Sequence, residues 1–499
     1  MASEGVSKIS SDGDSIREKQ PVDHGTAHID LETAGEKEGY VLDAAQLGNA
    51  ELKTAKDGHT VLIPQPSSSP ADPLNWSDFK KAVILIIISA TAFLPGLWKC
   101  NGIWGMTEDE VNHSQVGNVF MLGAGGVFVV AFSAYFGRYP VLFWFLVIAL
   151  ATAVWCAAAL SFESFMGGLM FIKDMFFFHE HARKINIWSS FIIVSPYMGP
   201  LLTAFIINTQ KWQWAFGIYS IMTGLCLIAV ILFVDESYYD RKIPADQQPQ
   251  RGSRWKRMIG IEQWQSHLMK NTFKDAMMRP LIVISKPPVM VTMLYYLFTF
   301  AWVVGINTTL SIFLGPLYNF GPKQIGFFYF TPVVAAILGE IAGHWLHDMI
   351  ARVSAQRNNG RFEPEARYVA TWVSTPFLVS GIVLLGFALE RGYHYMLASL
   401  GWGLYVFGIM ITTVAVNAYA LDSYPEASGE VAAWINFART TGGFVVSYFM
   451  VEWAGKQGAI RQFGTMAGIC GFAFVMIIFL QIFGKRMRMW AGPVNFKTV

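Results

Sequence analysis

Charge is scarce in this chain of 499 residues: only 14% are Asp, Glu, Lys or Arg, against about 25% in a typical soluble protein. With 53% hydrophobic residues, much of the chain is built for a solvent other than water. Net charge is missing too. A formal +2 gives no bulk basic signal, so no nucleic-acid partner is expected and charge arguments must be local. Cysteine is rare. Cys100, Cys156, Cys226 and Cys470 lack both CxxC spacing and the density of a secreted scaffold, which excludes a disulfide framework or zinc site and leaves small core residues. The first eighty or so residues have no apolar h-region, so no cleaved signal peptide is expected. Catalytic signatures are absent as well: there is no P-loop or nucleophile elbow, and His179-Glu180-His181 is not the HExxH arrangement. No enzyme, metal or cofactor is expected, and the only energy source left in view is an ion gradient.

What the chain does have is apolar runs. A membrane span needs roughly 20 residues, and about twelve runs qualify or nearly qualify. They are Ala82–Leu97, Val116–Phe136, Val141–Leu160, Phe165–Phe178, Ile187–Ile207, Trp214–Val234, Val289–Leu314, Ile325–Leu346, Tyr368–Leu389, Met396–Ala420, Ala432–Val451 and Phe463–Phe483. The predicted fold is an all-α polytopic membrane protein of two six-helix bundles. A disordered cytosolic tail (1–81) precedes the first bundle (82–234). A basic cytosolic linker (235–286) leads to the second bundle (287–484), and a cytosolic tail (485–499) closes the chain.

Basic residues mark one side. Lys80 and Lys81, His179–Lys184, Arg241–Lys274, Arg352–Arg367 and Lys485–Arg488 all fall on the same face if twelve spans cross. Positive loops stay in the cytosol, so both termini are expected there, with the plasma membrane as the expected location. The fourth run is the exception: about 14 residues is below the usual minimum, and it contains Lys173 and Asp174. It is expected to cross as the structural weak point. The first run also breaks off early, at Gly96–Asn101.

Local motifs sharpen this reading. Tyr135-Phe-Gly-Arg-Tyr-Pro140 lies between runs two and three, and Gly343-His-Trp-Leu-His-Asp348 follows run eight. Ser195–Pro200 sits in run five, Asp72–Ser77 precedes run one, Phe176–Lys184 follows run four, and Leu421–Pro425 and Asn436–Arg439 flank or enter run eleven. On these residues the chain resembles the major facilitator superfamily over roughly residues 60–490, and within it fungal exporters of the drug:proton antiporter type. The resemblance implies a secondary transporter with a small organic substrate and a proton as coupling ion. It places the superfamily loop motif at Gly137 and Arg138, with Gly343 and Asp348 as the second-half counterpart. Ala134 stands where an aspartate is usual.

An ionisable group inside a span costs about 2.5–3.5 kcal/mol at the helix centre, so each is a functional hypothesis. Glu340 can carry a proton or meet a cationic substrate; placed near the end of run eight, it can equally pair with a neighbouring base. Asp174 and Asp422 read as interfacial salt-bridge partners or as coupling groups. Arg439 and Asn436 share one face of run eleven and suit an anionic or carbonyl-bearing substrate; Glu430 and Asp422 reach Arg439 only if that helix starts later than drawn. Gly123, Gly125, Gly126, Gly442 and Gly443 allow close helix approach, with packing as the ordinary reading. Asn112, in an expected outer loop, is a glycosylation sequon. The leading function is proton-coupled export of drugs or secondary metabolites; a polyamine or organic-cation transporter or facilitator, and a transporter-like sensor that carries nothing, are the alternatives. Nothing in the sequence implies an oligomer.

Overall fold

The computed structural model describes, with brief omissions, residues 40–41, 66–93, 108–156, 194–237, 252–265, 272–357, 361–424 and 427–494. The described residues of the expected runs fall on helix, apart from a turn at Tyr329 and from Val234, which ends its run. The first half holds α1 (Asp78–Phe93), α2 (Glu108–Phe136), α3 (Arg138–Cys156), a helical stretch over 196–206, and α4 (Gln213–Phe233). The second half holds α8 (Pro287–Tyr318), α9 (Pro322–Phe328), α10 (Phe330–Arg357), α11 (Ala370–Glu390), α12 (Tyr395–Ser423), α13 (Ser428–Gln457) and α14 (Ala459–Ala491). Between the halves the linker folds into three short helices, α5 (Arg254–Ile259), α6 (Ile261–Gln265) and α7 (Phe273–Ile284). Among the described residues, five helical segments are long and apolar enough to cross a membrane on composition alone, all in the second half. A two-residue antiparallel ladder joins Tyr40–Val41 to Arg361–Phe362.

Helix ends follow local chemistry. α2 stops at Gly137, whose φ of 97° suits a residue without Cβ, and α3 begins on the next residue. α8 ends on Asn319 in the left-handed region, which Asn tolerates better than other side chains. α9 and α10 are parted at Tyr329 because Pro332, lacking an N–H and crowding the carbonyl four residues back, cannot continue the ladder.

Two expectations change. The expected disordered tail ends in structure. Asp72 accepts from the Leu74 amide at 3.0 Å and caps a 3₁₀ turn over Pro73–Asn75. Lys81 then closes the entry by donating to the Leu74 carbonyl at 2.8 Å. The second-half loop motif is not a loop: Gly343 and Asp348 lie inside α10, which runs on to Arg357. Polarity there marks where the apolar surface ends, while the backbone ladder continues.

The second-half core interlocks through small residues and hydroxyls. A Cβ on Gly381 would stand 2.5 Å from the Tyr405 amide, and one on Gly401 would stand 2.7 Å from the Leu385 amide, so α11 and α12 touch backbone to backbone. Hydroxyls bridge neighbouring helices: Thr292 to Tyr368 at 2.8 Å, Ser374 to Thr412 at 2.7 Å, and Tyr405 to the Thr299 carbonyl at 2.9 Å. In hydrocarbon, close packing and such bonds replace the hydrophobic drive that holds helices together in water. The first half has its own smaller core, formed by α1, α3, α4 and Met258 of α5. Gly381→Ala should therefore cost about 1–3 kcal/mol by overpacking, seen as a lower melting temperature in detergent. Gly471→Ala, where a Cβ meets nothing within 4 Å, should leave it unchanged.

Candidate functional site

α13 is the helix both halves share. A Cβ on Gly443 would lie 2.5 Å from Val304 Cβ, and one on Gly442 would lie 2.9 Å from Ala301 Cβ, which fixes α13 against α8. Its other side meets α2. Any side chain on Gly123 would run into the Thr440 hydroxyl, and Phe120 packs its ring on Phe437 and Phe444.

Inside this seam sits a polar cluster. Arg439 donates to Asn436 Oδ1 at 2.6 Å, its guanidinium lies 5.1 Å over the Phe300 ring, and Tyr296 stands beside it. Tyr296 is in turn bridged to Thr413 of α12 at 2.9 Å. Because Arg439 takes the Asn436 oxygen, the amide nitrogen is left pointing elsewhere, buried and with no acceptor among the described residues. A buried donor without an acceptor costs about 1–3 kcal/mol. Arg439 is engaged by Asn436 and Tyr296, and the Asn436 amide is left as a buried donor that suits a carbonyl, carboxylate or similar oxygen.

Neither expected acid serves Arg439. The helix starts earlier than drawn, at Ser428, and Glu430 is buried against Arg279 of α7 at 2.7 Å. Asp422 pairs with Arg367 at 2.8 Å. Further pairs close the same end of the second half: Glu365 with Arg488 at 3.0 Å and Glu363 with Lys485 at 2.5 Å. Lys286 adds bonds to the carbonyls of Ala491, Gly492 and Pro493.

Glu340 lies near the middle of the helical segment Pro322–Ser354 but close to the end of its apolar part, half-buried, with Oε2 shielded from solvent. It follows Gly339, where a Cβ would stand 2.8 Å from the Phe407 carbonyl of α12. His344 and Asp348 pair within α10 at 3.7 Å, while His347 faces the Ile411 carbonyl at 3.5 Å.

At the Gly137–Arg138 motif, the carboxylate expected from the chain nearby comes from a distance. Glu236, just past α4, accepts from the Tyr139 amide at 3.1 Å and from Gln263 of α6 at 3.2 Å. Arg257 of α5 pairs with Asp235 at 3.0 Å. Motif, span end and linker are therefore one joint. Asn112 falls within α2 and not in a loop. Asp174 lies outside the described residues. Sequence reasoning missed Tyr296, Thr413, Glu236 and Arg279, each of which reads alone as ordinary.

The profile of the Major Facilitator Superfamily matches residues 81–447. An MFS transporter of Aspergillus oryzae, cpaT, is 25% identical, covering 89% of this chain and 94% of its own. An efflux pump of Floropilus chiversii, radE, is 22% identical, covering 84% and 83%. An uncharacterized MFS-type transporter of Schizosaccharomyces pombe is 24% identical, covering 88% and 89%. Among solved structures, the human organic anion transporter MFSD10 superposes with a TM-score of 0.54 at 15% identity, covering 82% of this chain and all of that one.

The α7–α13 joint makes a testable claim. Removing one member of a buried pair strands the other, at about 3–5 kcal/mol, whereas replacing both by apolar groups is near neutral. Arg279→Leu should sharply lower the melting temperature in detergent, and Arg279→Leu with Glu430→Leu should recover most of the loss.

Proposed function

Since the chain belongs to the Major Facilitator Superfamily and is a multi-pass membrane transporter, we propose that it exports small organic molecules, drugs or secondary metabolites, in exchange for protons. The observation that carries this reading is the Arg439–Asn436 pair, held inside the seam between α2, α8 and α13. A polar group buried in such a seam is costly, and a substrate oxygen meeting the Asn436 amide would offset part of that cost. Substrates bearing a carbonyl or carboxylate on an aromatic or aliphatic body fit that donor and the ring of Phe300. The name of one relative, an efflux pump, supports outward transport.

Glu340 supplies the proton side of the scheme. A carboxyl on α10, partly shielded from water, can bind a proton on one side of the membrane and release it on the other, opposite to the movement of substrate. A second reading follows from the same residue: with Glu340 as the substrate contact, the cargo is an organic cation or polyamine. The orientation proposed is both termini and the linker in the cytosol of a plasma-membrane protein, supported by the basic loops.

Flux into vesicles made with the reconstituted protein separates these readings, and also separates a transporter from a sensor that binds without moving its ligand. Wild type should drive a fluorescent carboxylate down an imposed pH gradient. Glu340→Gln keeps the shape but cannot titrate, so it should abolish the pH dependence at normal expression; unchanged dependence removes Glu340 from the mechanism. Arg439→Gln should weaken the carboxylate by about tenfold in KM, as expected for a lost hydrogen bond to a charged group, and should spare a cationic dye. For orientation, a cysteine at Tyr393 should label from outside intact cells and one at Trp264 should not.

A further inference from the structure

A groove of about 1150 Å³ opens between the end of α2, the start of α3 and the linker helices. Its walls include Phe132, Phe136, Trp144, Ile259, Trp264 and Phe273. The proposed transport chemistry uses none of them.

Two features say what covers it. The first is continuity with a span surface. Trp144 is exposed on α3 and is followed one turn later by exposed Ile148, so the groove floor runs straight into the lipid-facing stripe. The linker helices carry that apolar surface outward: Trp255 is 63% and Trp264 80% exposed, and indoles turned outward beside a span prefer the headgroup layer. The second is charge. The nearby acids are turned inward or engaged: Asp235 on Arg257, Glu236 on Gln263 and Tyr139, Asp275 on Thr272, and Glu262 buried. Lys256, one turn before Ile259, and Lys274, next to Phe273, are exposed. The groove is thus aromatic inside, with exposed Lys256 and Lys274 flanking its lining residues Ile259 and Phe273 and with Asp275 held by Thr272.

We propose that this groove binds an anionic phospholipid, with an acyl chain along Phe132, Phe136 and Trp144 and the headgroup at Lys256 and Lys274. In-plane helices with an apolar face and basic flanks bind anionic bilayers in this way. The groove would then make the linker, and through Glu236 the Gly137 joint, responsive to the lipid composition of one leaflet.

The test uses the full chain in nanodiscs, whose two leaflets are identical, so the result does not depend on orientation or on transport. Photoactivatable phosphatidylserine and phosphatidylcholine are compared as probes, with labelled peptides mapped by mass spectrometry. Labelling of peptides covering 259–264 and 272–274 is expected, with phosphatidylserine favoured. Lys256→Gln and Lys274→Gln should each shift the phosphatidylserine titration about fivefold and leave phosphatidylcholine labelling unchanged. Trp264→Ser, at an outward position, should lower labelling by both probes. Linker peptides that stay unlabelled while α3 peptides label, or equal labelling by both lipids regardless of the lysines, overturn the proposal. So does a benzophenone side chain placed at position 264 that cross-links to protein in place of lipid.

Discussion

The close approach of α13 to two partners at once is the constraint on which the rest of this protein depends. Gly442 and Gly443 admit α8, while Thr440, Phe437 and Phe444 receive α2. The stretch 196–206 also reaches the second half, through Tyr197 on Trp402 and Phe205 on Phe327. The polar cluster exists because of the approach of α13: Asn436 and Arg439 lie one turn apart between the two contact faces, and the same packing that brings α8 close delivers Phe300 and Tyr296. Glycine sets the spacing, and the spacing sets the chemistry.

The linker turns this seam into a mechanical unit. Arg279 and Pro280 of α7 hold α13 through Glu430 and Trp434, and α7 also rests on α2, while α5 and α6 are tied to the ends of α3 and α4 through Asp235 and Glu236. The ion pairs around Glu363, Glu365 and Arg367 do the corresponding work for the second half. They gather at the end where basic loops accumulate, so those basic residues also brace the helix ends.

Much of the architecture was legible because hydropathy reports directly on lipid contact. The superfamily, the helical class and the helix in every described apolar run followed from run length and a few motifs. What escaped has identifiable causes. Hydropathy falls off before the backbone ladder does, so α10 was cut short at Leu346 although it runs on to Arg357. The polar first turn of α13 was excluded for the same reason, so Glu430 was weighed as a partner of Arg439 and not of Arg279. Helices of five or six residues such as α5 and α6 are too short to show a period. Contacts such as Arg279 with Glu430, 151 positions apart, leave no local trace. Of the candidate site, Arg439 and Asn436 were visible because polar groups stand out in an apolar run, whereas Tyr296 and Thr413 blend into it.

The composition of α13 has a consequence for how the protein is made. Long as it is, this helix falls short of the apolarity that would let it be recognised as a span, and it carries an arginine near its middle. Lipid alone would not accept it. A protein surface can, and chain order supplies one: α2 and α8 are both synthesised before α13 leaves the ribosome. The faces that receive α13 are therefore made before it, and its place in the protein rests on packing against them more than on apolarity of its own.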